Sequence, residues 1–277
     1  MNPFDVLLTT PILNLLVALF KIIDTIGIPG ALGLAIIVLT IIIRLGLWPL
    51  TTAQLKSTQK MAALKPHLAR IKAEHGHDKV RHQQEVASLY KEHGVNPVAG
   101  CLPLLLQMPV FFALYNVLLK IVEFGKADFL TSINSRLYSK SLYLENIPET
   151  GFFGFNLSAK PSDWQSAGAL ILLIPILTGL FQFIQSKMLT PQTNAQTLAK
   201  LTDKNTKEKE SLEDTMAQVQ SQMTFIMPAM IAFFSYGFPV GLSLYWNTFT
   251  IVGIVQQYVI TGAGALNKYL PEKWRKN

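Results

Sequence analysis

The fold is decided by one apolar stretch, Gly30–Leu50, which has the sequence GALGLAIIVLTIIIRLGLWPL. A helix that crosses a bilayer needs about 20 consecutive apolar residues. This stretch supplies them, interrupted by the polar residues Thr40 and Arg44. Because lipid offers backbone groups no hydrogen-bond partner, a segment that crosses it must be helical. The stretch therefore predicts a transmembrane helix with an arginine inside it.

Composition and further apolar runs extend this interpretation to the whole chain. Of 277 residues, 50% are hydrophobic and only 15% are charged, whereas soluble domains carry about 25% charged residues. Four further runs are predicted to span the membrane: Val98–Val122, Ala167–Gln185, Met223–Phe238 and Gly241–Ile260. The run Met223–Phe238 is short, since its helix would be roughly 24 Å long against a hydrocarbon core of about 30 Å. We therefore predict an all-α integral membrane protein with a five-span core at residues 27–262.

The first apolar stretch, Val6–Ile23, allows two placements. It is long enough to span, but its polar residues fall within an arc of about 100° on a helix. These residues are Thr10, Asn14, Lys21, Asp24 and Thr25. A polar stripe on an otherwise apolar helix is typical of a helix that lies in the membrane interface. We therefore expect residues 1–26 to form an outer, interfacial amphipathic helix rather than a sixth span.

Basic residues predict the orientation. Seventeen of the 24 Lys and Arg residues lie in segments 56–93 and 187–220 and after Ile260. Loops rich in Lys and Arg remain in the cytoplasm. We therefore predict a cytoplasmic hairpin of two antiparallel helices at 56–93, a cytoplasmic loop at 187–220 and a short basic cytoplasmic tail at 263–277. The N-terminus and the loop at 125–166 then face outward.

Motifs typical of enzymes are missing from the sequence. It contains no G-x-S-x-G, H-E-x-x-H or Walker motif. No Asp or Glu lies well inside a predicted span, which disfavours proton- or sodium-coupled transport. His75 and His77 could bind a metal, but solvated histidines at a helical turn are the simpler interpretation. We predict a protein that is not an enzyme and that uses no cofactor or metal.

Arg44 is the most informative residue, because burying an arginine at mid-helix costs about 2.5–3.5 kcal/mol. Snorkelling to the interface is the simplest explanation, since Leu50 is only about 9 Å of helix away. Two other spans carry polar stripes, one of Thr178, Gln182 and Gln185 and one of Ser243, Asn247, Thr250 and Gln257 with Trp246 at its edge. Such residues often hydrogen-bond membrane helices to each other. Together with an arginine that has no intramembrane acid, the stripes favour a shared hydrated cavity.

Several linked motifs resemble the YidC/Oxa/Alb family of membrane insertases. Residues 35–44, AIIVLTIIIR, followed by Pro49-Leu50, resemble the first core span of the family. Two motifs resemble the second span of the family, namely GVNP at residues 94–97 and CLPLLLQMPVF at residues 101–111. Residues 241–247, GLSLYWN, and the pair Gln256-Gln257 resemble the last span. Order and spacing also agree, so the resemblance covers about residues 11–262.

The resemblance implies five core spans around a groove that opens to the cytoplasm and to lipid and is closed on the outside. Arg44 would keep this groove wet and positive. Positions on or near the path of a substrate helix are matched by Thr40, Gln107, Met108, Phe111, Gln182 and Trp246, and we add Asn247 from the polar stripe. The implied function is a membrane protein insertase and folding chaperone of the bacterial inner membrane. It would act without ATP hydrolysis.

The implied partners are nascent membrane proteins, the ribosome, the Sec translocon and membrane lipids, with no specific nucleic acid, and we expect a monomer. The chain departs from the family pattern in lacking a large outer domain, in its long 125–166 loop and in its short 263–277 tail. The short tail makes the 56–93 hairpin the expected ribosome-docking element. Two alternatives remain open: a passive channel or lipid scramblase, and a non-catalytic subunit of a larger translocon.

Overall fold

The computed structural model describes residues 3–95, 102–122, 129–189, 212–269 and 271–274. This part of the chain is mostly α-helical. Its α-helices are α1 (Thr10–Thr25), α2 (Ala31–Gly46), α3 (Trp48–Ala63), α4 (Lys65–His75), α5 (Lys79–Glu92), α6 (Leu102–Val122), α7 (Phe129–Asn134), α8 (Trp164–Ala167), α9 (Leu173–Leu189), α10 (Leu212–Gly237) and α11 (Val240–Thr261). A π-helical turn, Asp5–Thr9, leads into α1. Two short strands, β1 (Gly151–Phe152) and β2 (Phe155–Asn156), form an antiparallel hairpin.

Several helices are suited to a membrane. Within the described residues, Asp5–Thr25 and Ala169–Leu189 are long and apolar enough to cross one, and α2 and α3 pass the same test as one bent pair. Shorter apolar helical stretches lie at Met108–Val117 and Thr224–Gly237. These helices are consistent with an all-α membrane protein. The five-span arrangement and the placement of residues 1–26 stay predictions.

Two helix boundaries differ from the predicted spans. The run predicted to continue to Leu50 is divided, because α2 ends at Gly46 and α3 begins at Trp48. The short apolar run predicted at Met223–Phe238 corresponds to the apolar stretch Thr224–Gly237, but its helix is longer, since α10 has 26 residues and begins at Leu212. Apolar runs mark the part of a helix that suits lipid and say little about polar turns that continue the same helix.

The described chain forms two compact units. The first comprises residues 1–47, 104–182 and 228–253. Its core consists of apolar side chains from α1, α2, α6, α11 and the loop between α6 and α9. The most deeply buried of these are Leu13, Leu16, Ile36, Leu39, Leu114, Val117, Ile133, Leu157, Leu242 and Tyr245. The loop predicted at 125–166 therefore contributes to a core shared with the helices.

The polar stripe of α1 turns toward the protein at Asn14. This residue is only 5% exposed. Its Nδ2 donates to the carbonyl oxygen of Arg136 at 3.0 Å, and its Oδ1 accepts from the backbone amide of Tyr138 at 2.7 Å. One amide side chain thus joins α1 twice to the loop that follows α7. This part of the stripe therefore contacts the protein itself.

Lys21, about two turns after Asn14 on α1, binds the same loop. Its Nζ donates to the carbonyl oxygens of Ser141 at 2.8 Å and Tyr143 at 3.0 Å. The most exposed large side chains of the first helix include Leu7 and Ile22, at 73% and 60%. Internal hydrogen bonds therefore explain Asn14 and Lys21 without an aqueous face.

The loop before α9 also completes the start of α11. The backbone amides of Val240 and Gly241 donate to the carbonyl oxygens of Ala159 and Leu157, each at 2.9 Å. The first amides of a helix have no acceptor within the helix. The loop thus satisfies two donors that would otherwise be left unpaired at the beginning of α11.

The second unit comprises residues 48–103, 183–227 and 254–277. Within the predicted 56–93 hairpin, α3 continues to Ala63 and is followed by α4 and α5. The rings of His67 and His93 lie 6.1 Å apart, so α4 and α5 run side by side in opposite directions. Asp78 caps α5 by accepting from the amides of Val80 and Arg81 at 3.1 Å. Most of the predicted loop at 187–220 lies outside the described residues.

Candidate functional site

Two predicted site residues share one buried face of α2. Thr40 and Arg44 are one turn apart, and they are 0% and 7% exposed. The hydroxyl of Thr40 donates to the carbonyl oxygen of Ile36 at 2.6 Å. A threonine that bonds back to its own helix satisfies its hydroxyl without a neighbour. The hydroxyl of Thr40 therefore adds a polar atom to this face, but its proton is already donated to the backbone of α2.

The guanidinium of Arg44 lies over an aromatic ring of α11. Its Cζ is 4.1 Å from the centroid of the Phe249 ring. Tyr245, one turn before Phe249, is fully buried, and the two rings are 6.1 Å apart. A cation over an aromatic face is stabilised by about 2 kcal/mol or more when both are desolvated. Phe249 follows Tyr245 by four residues, so the two rings share a face of α11, although an aromatic residue in an apolar run carries no functional signal by itself.

Arg44 has no ion-pair partner in the described part of the chain, and its Nε is buried without a hydrogen-bond partner there. Leaving a buried donor unsatisfied costs about 1–3 kcal/mol. A snorkelling side chain instead places its charged end in water. The low exposure of Arg44 disfavours that explanation and leaves a positive charge open to an anionic group or to water.

Three other predicted residues contact one another directly. The indole Nε1 of Trp246 on α11 donates to Oε1 of Gln182 on α9 at 3.3 Å. The ring of Phe111 on α6 lies 5.4 Å from that of Trp246, edge to face at 86°. Met108, about one turn before Phe111, is 38% exposed. The structure thus brings residues of three helices into one amphipathic cluster.

Two further rings extend this cluster. Phe111 lies 6.1 Å from Tyr115 and 6.2 Å from Phe238, and the last two rings are 6.0 Å apart. Neither Tyr115 nor Phe238 was singled out in the sequence. Aromatic residues inside an apolar run are ordinary core residues by pattern, so no signal distinguished them.

Two residues from the predicted polar stripes join helices to each other. The hydroxyl of Ser235 on α10 donates to Oγ1 of Thr178 on α9 at 3.4 Å. It is also hydrogen-bonded to the hydroxyl of Ser243 on α11 at 2.9 Å. All three side chains are at most 2% exposed. For Thr178 and Ser243 the structure therefore supports helix–helix hydrogen bonding rather than the lining of a wet cavity.

Asn247 differs from these residues. It is partly buried, and its Oδ1 is a buried acceptor without a hydrogen-bond partner among the described residues. Gln107 lies in α6, but its side chain is outside what the structure describes. Among the predicted groove residues whose side chains are described, Asn247 and Arg44 thus have a buried polar atom without a partner.

In the second unit, Gln256 connects the end of α11 to the start of α3. Its Nε2 donates to the carbonyl oxygen of Trp48 at 3.2 Å and to Oγ1 of Thr51 at 2.5 Å. Gln256 and Gln257 are 0% and 2% exposed. The Gln-Gln pair is therefore buried, and Gln256 is a packing contact.

No metal site is evident in the described residues, where no three His, Cys, Asp or Glu side chains come together. His67 and His93 lie near each other, and Nδ1 of His93 is 2.9 Å from the carbonyl oxygen of Leu89. The absence of a metal stays a prediction.

Comparison with known proteins identifies similar sequences. The model of a family described as "60Kd inner membrane protein" matches residues 22–266. The "Membrane protein insertase YidC" of Rickettsia conorii is 36% identical over 234 residues, which are 84% of this chain and 36% of that protein. Proteins of the same name from Rickettsia africae and Rickettsia prowazekii are 36% and 35% identical with the same coverage. The chain spans about a third of the length of these curated relatives.

Proposed function

Because this chain belongs to the 60Kd inner membrane protein family, the YidC/Oxa/Alb insertases, we propose that it inserts and folds membrane proteins. Family membership and the apolar helices indicate a multi-pass protein of a bacterial inner membrane. It would move nascent membrane proteins from the cytoplasm into the bilayer through a hydrophilic, positively charged groove. The chemistry is solvation, and no nucleotide is hydrolysed.

The observation that carries this proposal is the state of Arg44. Its side chain is buried on an apolar helix. Its Nε has no hydrogen-bond partner among the described residues, and these residues provide no acidic partner. A cation in such surroundings attracts water and acidic side chains, because isolated charge is poorly tolerated in a medium of low polarity. The polar outer segment of a nascent protein would enter this environment instead of crossing hydrocarbon.

The amphipathic cluster supplies the second part of the mechanism. Trp246 and Gln182 present polar atoms beside the ring of Phe111, and the flexible side chain of Met108 adapts to different apolar partners. An apolar substrate segment would slide along these side chains into lipid, where burial of apolar surface drives the process. Thr40, Gln107 and Asn247 belong to the same proposed groove.

The proposed topology follows the charge distribution. Residues 27–262 would form five core spans, with residues 1–26 as an outer interfacial helix and the C-terminus in the cytoplasm. The 56–93 hairpin, with eight basic and four acidic residues, would recruit the ribosome. Proposed further partners are the Sec translocon and membrane lipids, and the acting form is a monomer.

Reconstitution tests the proposal. The purified chain in liposomes is expected to insert a single-span test substrate unaided, measured as protection of the substrate from added protease. Insertion no better than in protein-free liposomes would refute an autonomous insertase and favour a subunit of a larger translocon. Ion or lipid flux without substrate would favour a channel or scramblase.

A further inference from the structure

The tip of the β-hairpin exposes an aromatic ring in an unfavourable backbone conformation. Phe153 has a φ of 45°, Gly154 follows with a φ of 83°, and the two connect the paired residues Phe152 and Phe155. Two-residue hairpin turns with positive φ at both positions strongly prefer Asn-Gly. The side chain of Phe153 is nevertheless 85% exposed. The positive φ and the exposure to water are both unfavourable for phenylalanine, so the turn itself does not explain why this residue stands at position 153.

The neighbouring ring fixes this tip against the start of α2. The ring of Phe152 lies on Gly30 and Gly33, and a Cβ on Gly30 would come within 2.9 Å of its Cδ2. The rings of Phe152 and Phe153 are 4.7 Å apart and nearly perpendicular, at 83°. The exposed ring of Phe153 is therefore held beside the first turn of α2.

This position corresponds to a membrane boundary. The apolar run of α2 begins at Gly30, so in a bilayer its first turn lies near the border between hydrocarbon and headgroups. Trp and Tyr are favoured at that level because their rings are amphipathic, and Phe occurs there on the apolar side of interfacial segments, where its ring leaves water. Trp164, which is 39% exposed, stands in a similar place shortly before the apolar segment Ala169–Leu189.

We propose that Phe153 inserts into the headgroup region of the bilayer beside α2 and anchors the hairpin on the lipid surface. The partner is the phospholipid bilayer, because the exposed ring lies beside the first turn of an apolar helix that is predicted to cross it. Contact with the acyl-chain border removes the ring from water and offsets the strain of its backbone. The proposal depends on α2 crossing the membrane and is independent of insertase activity.

A single-label experiment tests the location. In a Cys101→Ser background, Phe153→Cys and the matched control Glu145→Cys, an exposed polar site in the same loop, are labelled with an environment-sensitive fluorophore. The protein is placed in vesicles of phosphatidylethanolamine and phosphatidylglycerol. The label at 153 is expected to shift its emission to the blue and to be quenched by lipids with a nitroxide near the headgroup. The label at 145 is expected to be quenched by aqueous iodide.

A second variant separates anchoring from a structural role. Phe153→Asn suits the turn better, so it should preserve or raise thermal stability in detergent. In lipid nanodiscs, however, the hairpin amides should exchange hydrogen faster in this variant than in the wild type. Equal exchange in nanodiscs, or equal iodide quenching at 153 and 145, would overturn the proposal. Protection that appears only when a substrate protein is added would also overturn it, by assigning the tip to a protein partner.

Discussion

Replacing Arg44 separates its effect on stability from its effect on function. Arg44→Ala relieves a burial cost of about 2.5–3.5 kcal/mol and loses a cation–π contact with Phe249 worth about 2 kcal/mol. These contributions nearly cancel, so we expect the free energy of unfolding to change by no more than about 1–2 kcal/mol. Arg44→Lys keeps the charge and should be close to wild type in stability.

The functional effect is expected to be larger and to depend on the substrate. An acidic residue passing about 8 Å from the guanidinium, at an effective dielectric of about 20–40, is attracted by roughly 1–2 kcal/mol. Arg44→Ala should therefore slow insertion of a substrate with one acidic outer residue by about five- to thirtyfold. Short, uncharged outer segments should be affected less, and Arg44→Lys should retain much of the activity.

The assay is insertion of a substrate series, graded in outer-segment length and charge, into liposomes that contain each variant. Thermal unfolding in detergent checks folding. Phe249→Leu is the matched control, because it removes the ring but keeps the charge, and it should preserve the dependence on substrate charge. Equal rates for Arg44→Ala and wild type on acidic substrates would refute the argument. Failure of Arg44→Lys as severe as that of alanine would indicate a bidentate contact instead.

Three substitutions test packing in the first unit. Gly179→Ala should lower the free energy of unfolding by about 1–3 kcal/mol, because its Cβ would lie 2.9 Å from that of Ala232. Adding Ala232→Gly to this variant should restore its stability in thermal unfolding, and an unchanged stability of Gly179→Ala alone would contradict the close contact. Asn14→Leu should increase protease cleavage near 136–138, where two hydrogen bonds are lost; unchanged cleavage would show that other contacts hold this turn. Trp246→Phe should destabilise the protein by about 0.6–1.7 kcal/mol, because it loses the hydrogen bond to Gln182. Thermal unfolding identical to that of the wild type would exclude this bond as a stabilising contact.

The apolar runs predicted where helices lie because lipid leaves the backbone no alternative. The helices α2, α6, α9 and α11 overlap predicted runs. Hydropathy does not define where a helix ends, and so the division at Leu47 and the polar beginning of α10 were not foreseen. The hydrogen bonds of Asn14 were equally inaccessible, because periodicity shows that a face is polar and does not show what it contacts.

The candidate site was predictable to different degrees. Spacing alone placed Thr40 and Arg44 on one face of a helix. The contact of Trp246 with Gln182 and Phe111 joins three helices that are distant in sequence, so only the family resemblance related them. Phe249 was missed because an aromatic residue in an apolar run has no distinctive pattern, and its role depends on how α2 packs against α11.

The polar residues of the first unit fall into two physical classes. Thr178, Ser235 and Ser243 satisfy one another and connect three helices. Arg44 Nε and Asn247 Oδ1 are buried and have no partner among the described residues, as is also true of the hydroxyls of Thr9, Thr10 and Ser158 in this unit. Unpaired polar groups in hydrocarbon cost several kcal/mol. The first class therefore stabilises the fold, whereas Arg44 and Asn247 favour a hydrated or substrate-filled environment in the proposed groove.

These classes predict opposite effects of two small substitutions. Ser235→Ala removes a hydroxyl with two partners, so it should lower the free energy of unfolding by about 1 kcal/mol. Asn247→Leu removes an unpaired buried acceptor, so it should leave stability unchanged or raise it, while slowing insertion of substrates with polar outer segments. Thermal unfolding in detergent and liposome insertion measure the two effects. If Asn247→Leu were the more destabilising change, Asn247 would have to hold helices together, and it would no longer support a hydrated groove.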